Sequence, residues 1–465
     1  MKKTSITFTT FLILALLSGC QASDVGALRQ KLITNLNSSI GKDDGAKLEP
    51  TPVLTKETPS LKMVMNTPAV IVDLDKSFVS SLKSSVKLDP KIIASEQRVQ
   101  AQISSLNSLK AKKDFQVSSS IYGGIEDVSD RTNGVALVLD ASRLLFDGGL
   151  VDSQILSAEF EVDAAKYELK TEQDESVHNS ALVWVELERY ESLNQLIESR
   201  LNVLQPLITQ LEKVAEAGIG DVSKVASAQR TVSTILVAQS DVLGGLKQAR
   251  INFLNVYGSL PKSNKFDSSL ISELTPSNIT DNMIQEAPTL LAQYSKYRAA
   301  EASLVSAKSQ SEFNVGFQAR LSRPFGGSGY DSDESIGLVA KKILSNGRKF
   351  ESDIKQAEAV VFSRMAELQA IYREGERAVQ SARETIVRMN DAISLARESA
   401  KVTSDEIAYL RQQLVIGGST LESVLSAEAR LYDAEAKEIN FLSNKRAAQL
   451  AILEALGLLS LHIGL

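Results

Sequence analysis

The sequence has one cysteine, Cys20, so no disulfide can form within a chain. It has two histidines, His178 and His462, and lacks HExxH, CxxC and GxSxG, so neither a metal site nor an activated nucleophile is expected. No glycine-rich run ends in Gly-Lys-Ser or Gly-Lys-Thr, which excludes a phosphate-cradling loop and leaves any energy supply to a partner. Glu186 and Glu188 are two positions apart and do not share a helix face, so they read as solvated residues and not as a catalytic pair. The acidic stretch "DSDES" (331–335) reads as a solvated loop. No catalytic residue, metal or cofactor is assigned. A net charge of −6 without basic clusters argues against nucleic acid. Aromatics are scarce at 5%, with a single tryptophan, Trp184, which disfavours an all-sheet core. Beyond residue 17, no apolar run approaches the roughly 18 residues of a spanning helix, so a membrane crossing would need a β-barrel.

Ala, Ser, Leu, Glu, Gln and Lys are abundant instead, and they favour long helices. At the N-terminus, Lys2 and Lys3 precede the apolar run 11–17 and then Leu17-Ser18-Gly19-Cys20. The order of charged, apolar and small residues predicts a signal peptide over 1–19. Its last four residues resemble a bacterial lipobox, which implies a lipid-modified, palmitate-bearing Cys20. Gln21 follows where an inner-membrane-retaining aspartate would stand, so the outer membrane is expected.

The chain then makes the same move twice. At an offset of 199, Leu145, Gly148, Ser153, Ile155, Ala158 and Glu159 recur as Leu344, Gly347, Ser352, Ile354, Ala357 and Glu358. Gly218, Val225, Ser227, Ala228 and Gly258 recur as Gly417, Val424, Ser426, Ala427 and Gly457. Upstream the offset is 198, relating Pro90, Ala94, Phe115 and Val117 to Pro288, Ala292, Phe313 and Val315. The expected layout is a signal peptide (1–19), a lipidated N-terminus and linker (20–88), repeat 1 (89–258), a connection (259–286), repeat 2 (287–457) and a C-terminal tail (458–465). Pro50, Pro52, Pro59 and Pro68 mark the linker.

Within each repeat a proline opens a helix, 91–113 and 289–311. Two period-two runs follow. In "FNVGFQARLS" Phe313, Val315, Phe317 and Leu321 form one face, and Asn314, Gln318 and Arg320 the other. Phe115, Val117 and Ile121 alternate likewise; 135–145 and 336–341 give weaker strands. Polar, glycine-rich loops join each pair. Helices over about 150–217 and 350–415 come next, each on the order of 100 Å long. Gly218 and Gly417 are expected to end them in the left-handed region. Asp221 and Thr420 are expected to cap the returning helices, 222–257 and 421–456. Pro206 predicts a kink in the first long helix. Gly244-Gly245 suggests either close helix packing or a flexing point.

"RLLFDGG", the long alanine-rich helices, "GGSTLESVLSAEARLYDAEAKEI" and "AILEALG" together resemble the TolC-like outer-membrane efflux proteins, over about 89–457. The resemblance implies a mainly α fold with a small β part. Long antiparallel helical hairpins form a tunnel, and four strands per protomer enter a trimeric twelve-stranded barrel. It implies a homotrimer that docks by its tip turns (Gly218, Gly220, Asp221, Gly417, Gly418, Thr420) onto a periplasmic adaptor of an inner-membrane exporter, for efflux or type I secretion. Phe313, Val315, Phe317 and Leu321 would face outer-membrane lipid. Positions that carry acidic residues and a tyrosine near the tips of family members look like Lys224, Ser423, Ser426 and Leu414 here. An aperture lined by these four implies a weak cation preference. The alternative expectation is a periplasmic coiled-coil spacer or surface structural protein without a pore.

Overall fold

A computed structural model describes residues 71–465 apart from 73, 75, 76, 125–133, 219–221, 263–265, 272–280 and 327–331. Cys20, Gly220 and Asp221 lie outside the described residues, as do the signal peptide and most of the linker. The described part is built on two helices of 67 residues, α3 (Leu150–Glu216) and α7 (Lys349–Val415). Each returns through a shorter partner, α4 (Val222–Tyr257) and α8 (Leu421–Ala455). Upstream of each strand pair stand α2 (Pro90–Ala111) and α6 (Pro288–Ser309), both opened by a proline whose missing N–H costs nothing there. The offsets of 198 and 199 relate every one of these pairs, so the sequence repeat is a structural repeat.

Four strands form one antiparallel sheet, β1 (Gln116–Gly124), β2 (Gly134–Phe146), β3 (Asn314–Gly326) and β4 (Asp333–Lys341), in that spatial order. The "DSDES" stretch is therefore partly strand: β4 begins at Asp333, and Glu334 forms an ion pair with Arg323. No helix among the described residues is long and apolar enough to cross a membrane.

Each long helix ends through glycine. Gly417 takes φ +79°, which costs an L-residue but not glycine. The Gly418 N–H donates to the Gln413 carbonyl at 2.8 Å and the Gly417 N–H to Leu414 at 3.4 Å, the paired bonds of a Schellman end. Thr420 then caps α8, its hydroxyl accepting from the Ser423 N–H at 3.2 Å. Gly218, φ +62°, repeats the left-handed turn in the first unit. Pro206 lies inside α3, and the helix continues through it.

The largest core sits at mid-length of α3, around Trp184. Phe253 and Tyr257 of α4 meet the Trp184 ring edge-on, with centroids 4.9 and 5.9 Å away. Two terminal pieces complete it, and the first differs from expectation. Residues read as the end of a linker form helix α1 (Phe78–Leu88), with Leu82 and Val86 buried and Phe78 edge-on to Trp184 at 5.4 Å. The tail folds as a short helix, α9 (Leu459–Ile463), burying Leu459 and Ile463. Two helices too short to stand alone hold here because they bury apolar side chains against α3. In the connection, a 3₁₀ turn (Ser268–Ile271) and helix α5 (Asp281–Gln285) are formed.

Candidate conduit wall and helical tips

The sheet has two chemically distinct faces because side chains alternate and register partners share a face. Leu321 opposes Leu139 and Glu334, Ala319 opposes Ala141 and Ile336, and Phe317 opposes Arg143 and Leu338. With Val117, Ile121 and Val315 these make one apolar face, much of it exposed: Ile121 is 71% and Leu338 70% accessible. Val315, Phe317 and Leu321 belong to this face. Phe313 does too, although it stands one residue before β3. The other face carries Gln116, Ser118, Asp140, Ser142, Gln318, Arg320 and Ser335. At its centre the Arg320 Nε donates to Asp140 Oδ1 at 2.7 Å. An exposed apolar face of this extent marks a surface that meets lipid or another protein.

The strand order leaves β1 and β4 as open edges of nine residues each, and they run in opposite directions. A second sheet can thus join edge to edge in antiparallel fashion. Such addition removes the unpaired N–H and C=O groups of an open edge.

At the far end of the helices the two hairpins pack on each other. Leu425 of α8 is fully buried among Leu204, Leu211, Ala228 and Ile235 of the first hairpin, with Leu421 beside them. Ion pairs add to this, one between the hairpins and two within the second. Arg200 of α3 forks onto Glu435 of α8, Arg411 of α7 donates to Glu428 at 2.6 Å, and Arg397 meets Glu438 at 2.6 Å. Of the aperture candidates, Ser423 is engaged with the Thr420 hydroxyl at 2.8 Å, and Leu414 and Ser426 are half-buried. Lys224 is exposed and makes no side-chain hydrogen bond or ion pair among the described residues. Within one chain the structure does not join these four into a single constellation.

Several groups that the sequence read as bland carry interactions. Glu188, read as solvated, bonds Arg446 at 2.6 Å and accepts from the Phe266 N–H at 3.1 Å. His178 Nδ1 lies 2.7 Å from Glu454. Buried Asp174 accepts from the Ser460 N–H at 2.7 Å and faces its hydroxyl at 3.2 Å, which fixes α9 onto α3. Burial pushes the Asp174 carboxyl up to about 6, against the lowering effect of the Ser460 bonds. At Gly245 a Cβ would stand 2.0 Å from Tyr190 Cε1, so α4 packs closely on α3 there. Gly244 has open space around it. Among the described residues no group of three or more His, Cys, Asp or Glu could hold a metal ion.

No protein-family model matches the chain. It is 20% identical over 392 residues to the outer membrane efflux protein BepC of Brucella suis biovar 1, covering 83% of this chain and 86% of that protein. Among solved structures, a membrane protein from Pseudomonas aeruginosa superposes with a TM-score of 0.71 at 16% identity, over 83% of this chain and 91% of its own. The outer membrane protein VceC of Vibrio cholerae superposes with a TM-score of 0.69 at 16% identity, over 83% of this chain and 97% of its own. At such identities the agreement is one of fold. The chain has the fold of the TolC-like outer-membrane channels, the family that its sequence motifs resemble.

Proposed function

We propose that the protein is the outer-membrane channel of a tripartite efflux system, a passive conduit from periplasm to exterior in which no bond is made or broken. The observation that carries this reading is the two-faced four-stranded sheet with oppositely directed open edges, set on two hairpins on the order of 100 Å long. Three copies would close twelve strands into a barrel, with Val315, Phe317 and Leu321 toward lipid and Gln318 and Arg320 toward a wet lumen. The helices would continue the barrel into the periplasm. The turns at Gly218, Gly220, Asp221, Gly417, Gly418 and Thr420 would meet a periplasmic adaptor and, through it, an inner-membrane exporter. Lys224, Leu414, Ser423 and Ser426 would line the aperture, and lipid on Cys20 would tether the chain to the outer membrane. A relative that is itself an efflux protein over four fifths of the chain favours efflux.

A spacer without a pore does not fit. Such a rod has no use for a sheet with one apolar and one polar face, and the curated relative is an outer membrane efflux protein. Planar-bilayer recording tests the proposal: the purified assembly should give discrete conductance steps, and deletion of 313–341 should abolish them. An intact assembly that never conducts in any lipid would overturn it.

A further inference from the structure

At the helix-side end of the sheet two cations stand over aromatic rings and have no carboxylate partner among the described residues. The Arg143 guanidinium carbon lies 5.2 Å from the Phe115 ring centroid, and its Nε donates to the Lys113 carbonyl at 3.3 Å. Lys342 Nζ stands 4.8 Å from the centroid of Phe313. These are repeat copies of one arrangement: Phe115 and Phe313 are related by 198 residues, Arg143 and Lys342 by 199, the offsets that relate the rest of the two units. The other arginines of the sheet differ. Arg320 is paired with Asp140 and Arg323 with Glu334, whereas among the described residues neither Arg143 nor Lys342 has an acidic partner.

Both cations sit where the apolar face ends. Arg143 is the register partner of Phe317, and Phe115 meets the Phe317 ring edge-on at 6.0 Å. Lys342 directly follows β4 beneath the same face. In each unit the cation precedes two aliphatic residues, of which the second is exposed: Leu145 is 53% and Leu344 92% accessible. A cation held over an aromatic ring, with aliphatic groups beside it, suits the boundary between acyl chains and headgroups. The ring and stem lie in the apolar layer while the charge reaches the polar one. At that depth an unpaired cation needs a counter-charge, and a lipid phosphate supplies it. A second copy that joins at an edge of the sheet does not come beside Arg143, because β2 is an inner strand with β1 and β3 on its two sides.

We propose that Arg143 with Phe115, and Lys342 with Phe313, form two repeat-related sites for the phosphate of anionic phospholipid headgroups at the helix-side rim of the barrel. The proposal rests on the barrel reading above. A closed trimer would carry six such sites, ringing the leaflet nearer the helices. A zwitterionic lipid satisfies them less well, since its phosphate is already partnered by its own ammonium.

The test uses the full-length protein purified in detergent with an equal mixture of dioleoylphosphatidylglycerol and dioleoylphosphatidylcholine. Retained lipids are counted by native mass spectrometry. The native protein should retain the anionic lipid preferentially, and the preference should vanish in about 1 M salt, where charges are screened within a few ångströms. Removing one cation by Arg143→Gln or Lys342→Gln should lower the preference roughly five-fold, and the double variant about 25-fold. The charge-preserving pair Arg143→Lys and Lys342→Arg should keep it, as should Lys401→Gln on an exposed helix face. No preference in the native protein overturns the proposal whether or not any variant folds. So does a double variant that retains it within two-fold. Conductance of the same preparations separates the two readings: channels that conduct without lipid preference sink only this inference, and protein that never conducts sinks the barrel.

Discussion

Glu428 of α8, 2% exposed, lies 2.6 Å from the Arg411 guanidinium of α7 and 3.7 Å from that of Arg200 on α3. One buried carboxylate thus joins the second hairpin to itself and to the first, about eight residues from the tip turn. Such a charge is tolerated only with its partners present, because an unpaired buried carboxylate costs about 3–5 kcal/mol. Arg411→Ala leaves the buried carboxylate only the longer Arg200 contact, so it should loosen the α7–α8 hairpin far more than loss of an arginine whose partner is itself exposed. We expect amide exchange over 404–415 and 421–432 to quicken roughly 100-fold, the equivalent of about 3 kcal/mol. Pairing the change with Glu428→Leu should restore most of the protection, since no charge is then stranded. Exchange in Arg411→Ala within two-fold of the native rate would show that the clamp contributes nothing.

The glycine pair in α4 gives a test with opposite signs at adjacent positions. Gly245→Ala would drive a methyl group into the Tyr190 ring, and overpacking of this kind costs about 1–3 kcal/mol. Gly244→Ala meets nothing within 4 Å and should gain up to about 1 kcal/mol of helix propensity. The thermal midpoint should fall for the first variant and rise or hold for the second. If both alanines lowered conductance while leaving stability unchanged, flexing and not packing would be the role of this pair.

Much of the fold was legible in the sequence because local rules set it. Gly417 and Thr420 mark the tip through one residue's φ and one hydroxyl, and Pro90 and Pro288 mark helix starts through an absent N–H. The strands declared themselves by alternation, as in Val315, Phe317 and Leu321. What stayed hidden is held by partners far away in the chain. Phe78 makes α1 part of the core through Trp184, Asp174 fixes α9 through Ser460, and Glu188 is engaged by Arg446. Periodicity over 10 or 20 residues contains no trace of a neighbour 258 or 286 positions away. The aperture residues are a different case. Lys224 and Ser423 occupy equivalent places in the two units, so a single chain presents them on separate hairpins.

Asp174 predicts a pH dependence with a definite sign. Its carboxyl is raised to about 6 when folded, chiefly by burial, with nearby Glu454 adding to the rise. The folded state therefore binds the proton more tightly than the unfolded state. Its stabilising contribution is fully present below the ordinary carboxylate range near 4 and is lost as pH rises through about 6. Asp174→Asn keeps an oxygen to accept from the Ser460 N–H and cannot titrate. Between pH 4 and 8 the variant should gain stability relative to the native protein, by on the order of 3 kcal/mol at most. The gap between the two thermal midpoints, followed across that range, cancels the groups that do not interact with Asp174. A gap that does not change with pH would mean that Asp174 is not taken up protonated near pH 5.

On the conduit reading proposed above, the charge at the tips bears on which ions would pass. Lys224 is exposed without a partner among the described residues, while Glu428 of α8 is buried and paired with Arg411. In a closed trimer three Lys224 ammonium groups would surround one aperture, and like charges at a constriction repel cations and concentrate anions. The native channel should accordingly show a reversal potential shifted toward chloride in a KCl gradient, and millimolar magnesium or hexaamminecobalt applied from the helix side should leave its current almost unchanged. Lys224→Glu replaces three positive charges by three negative ones in the same ring. It should reverse the sign of the selectivity and let the trivalent cation block at concentrations at least ten-fold lower. Because an exposed lysine can be exchanged at a cost within about 0.5 kcal/mol, failure to fold is not expected to obscure the result. A native channel that already prefers potassium strongly and is blocked by micromolar trivalent cation would place carboxylates at the aperture and remove Lys224 from it.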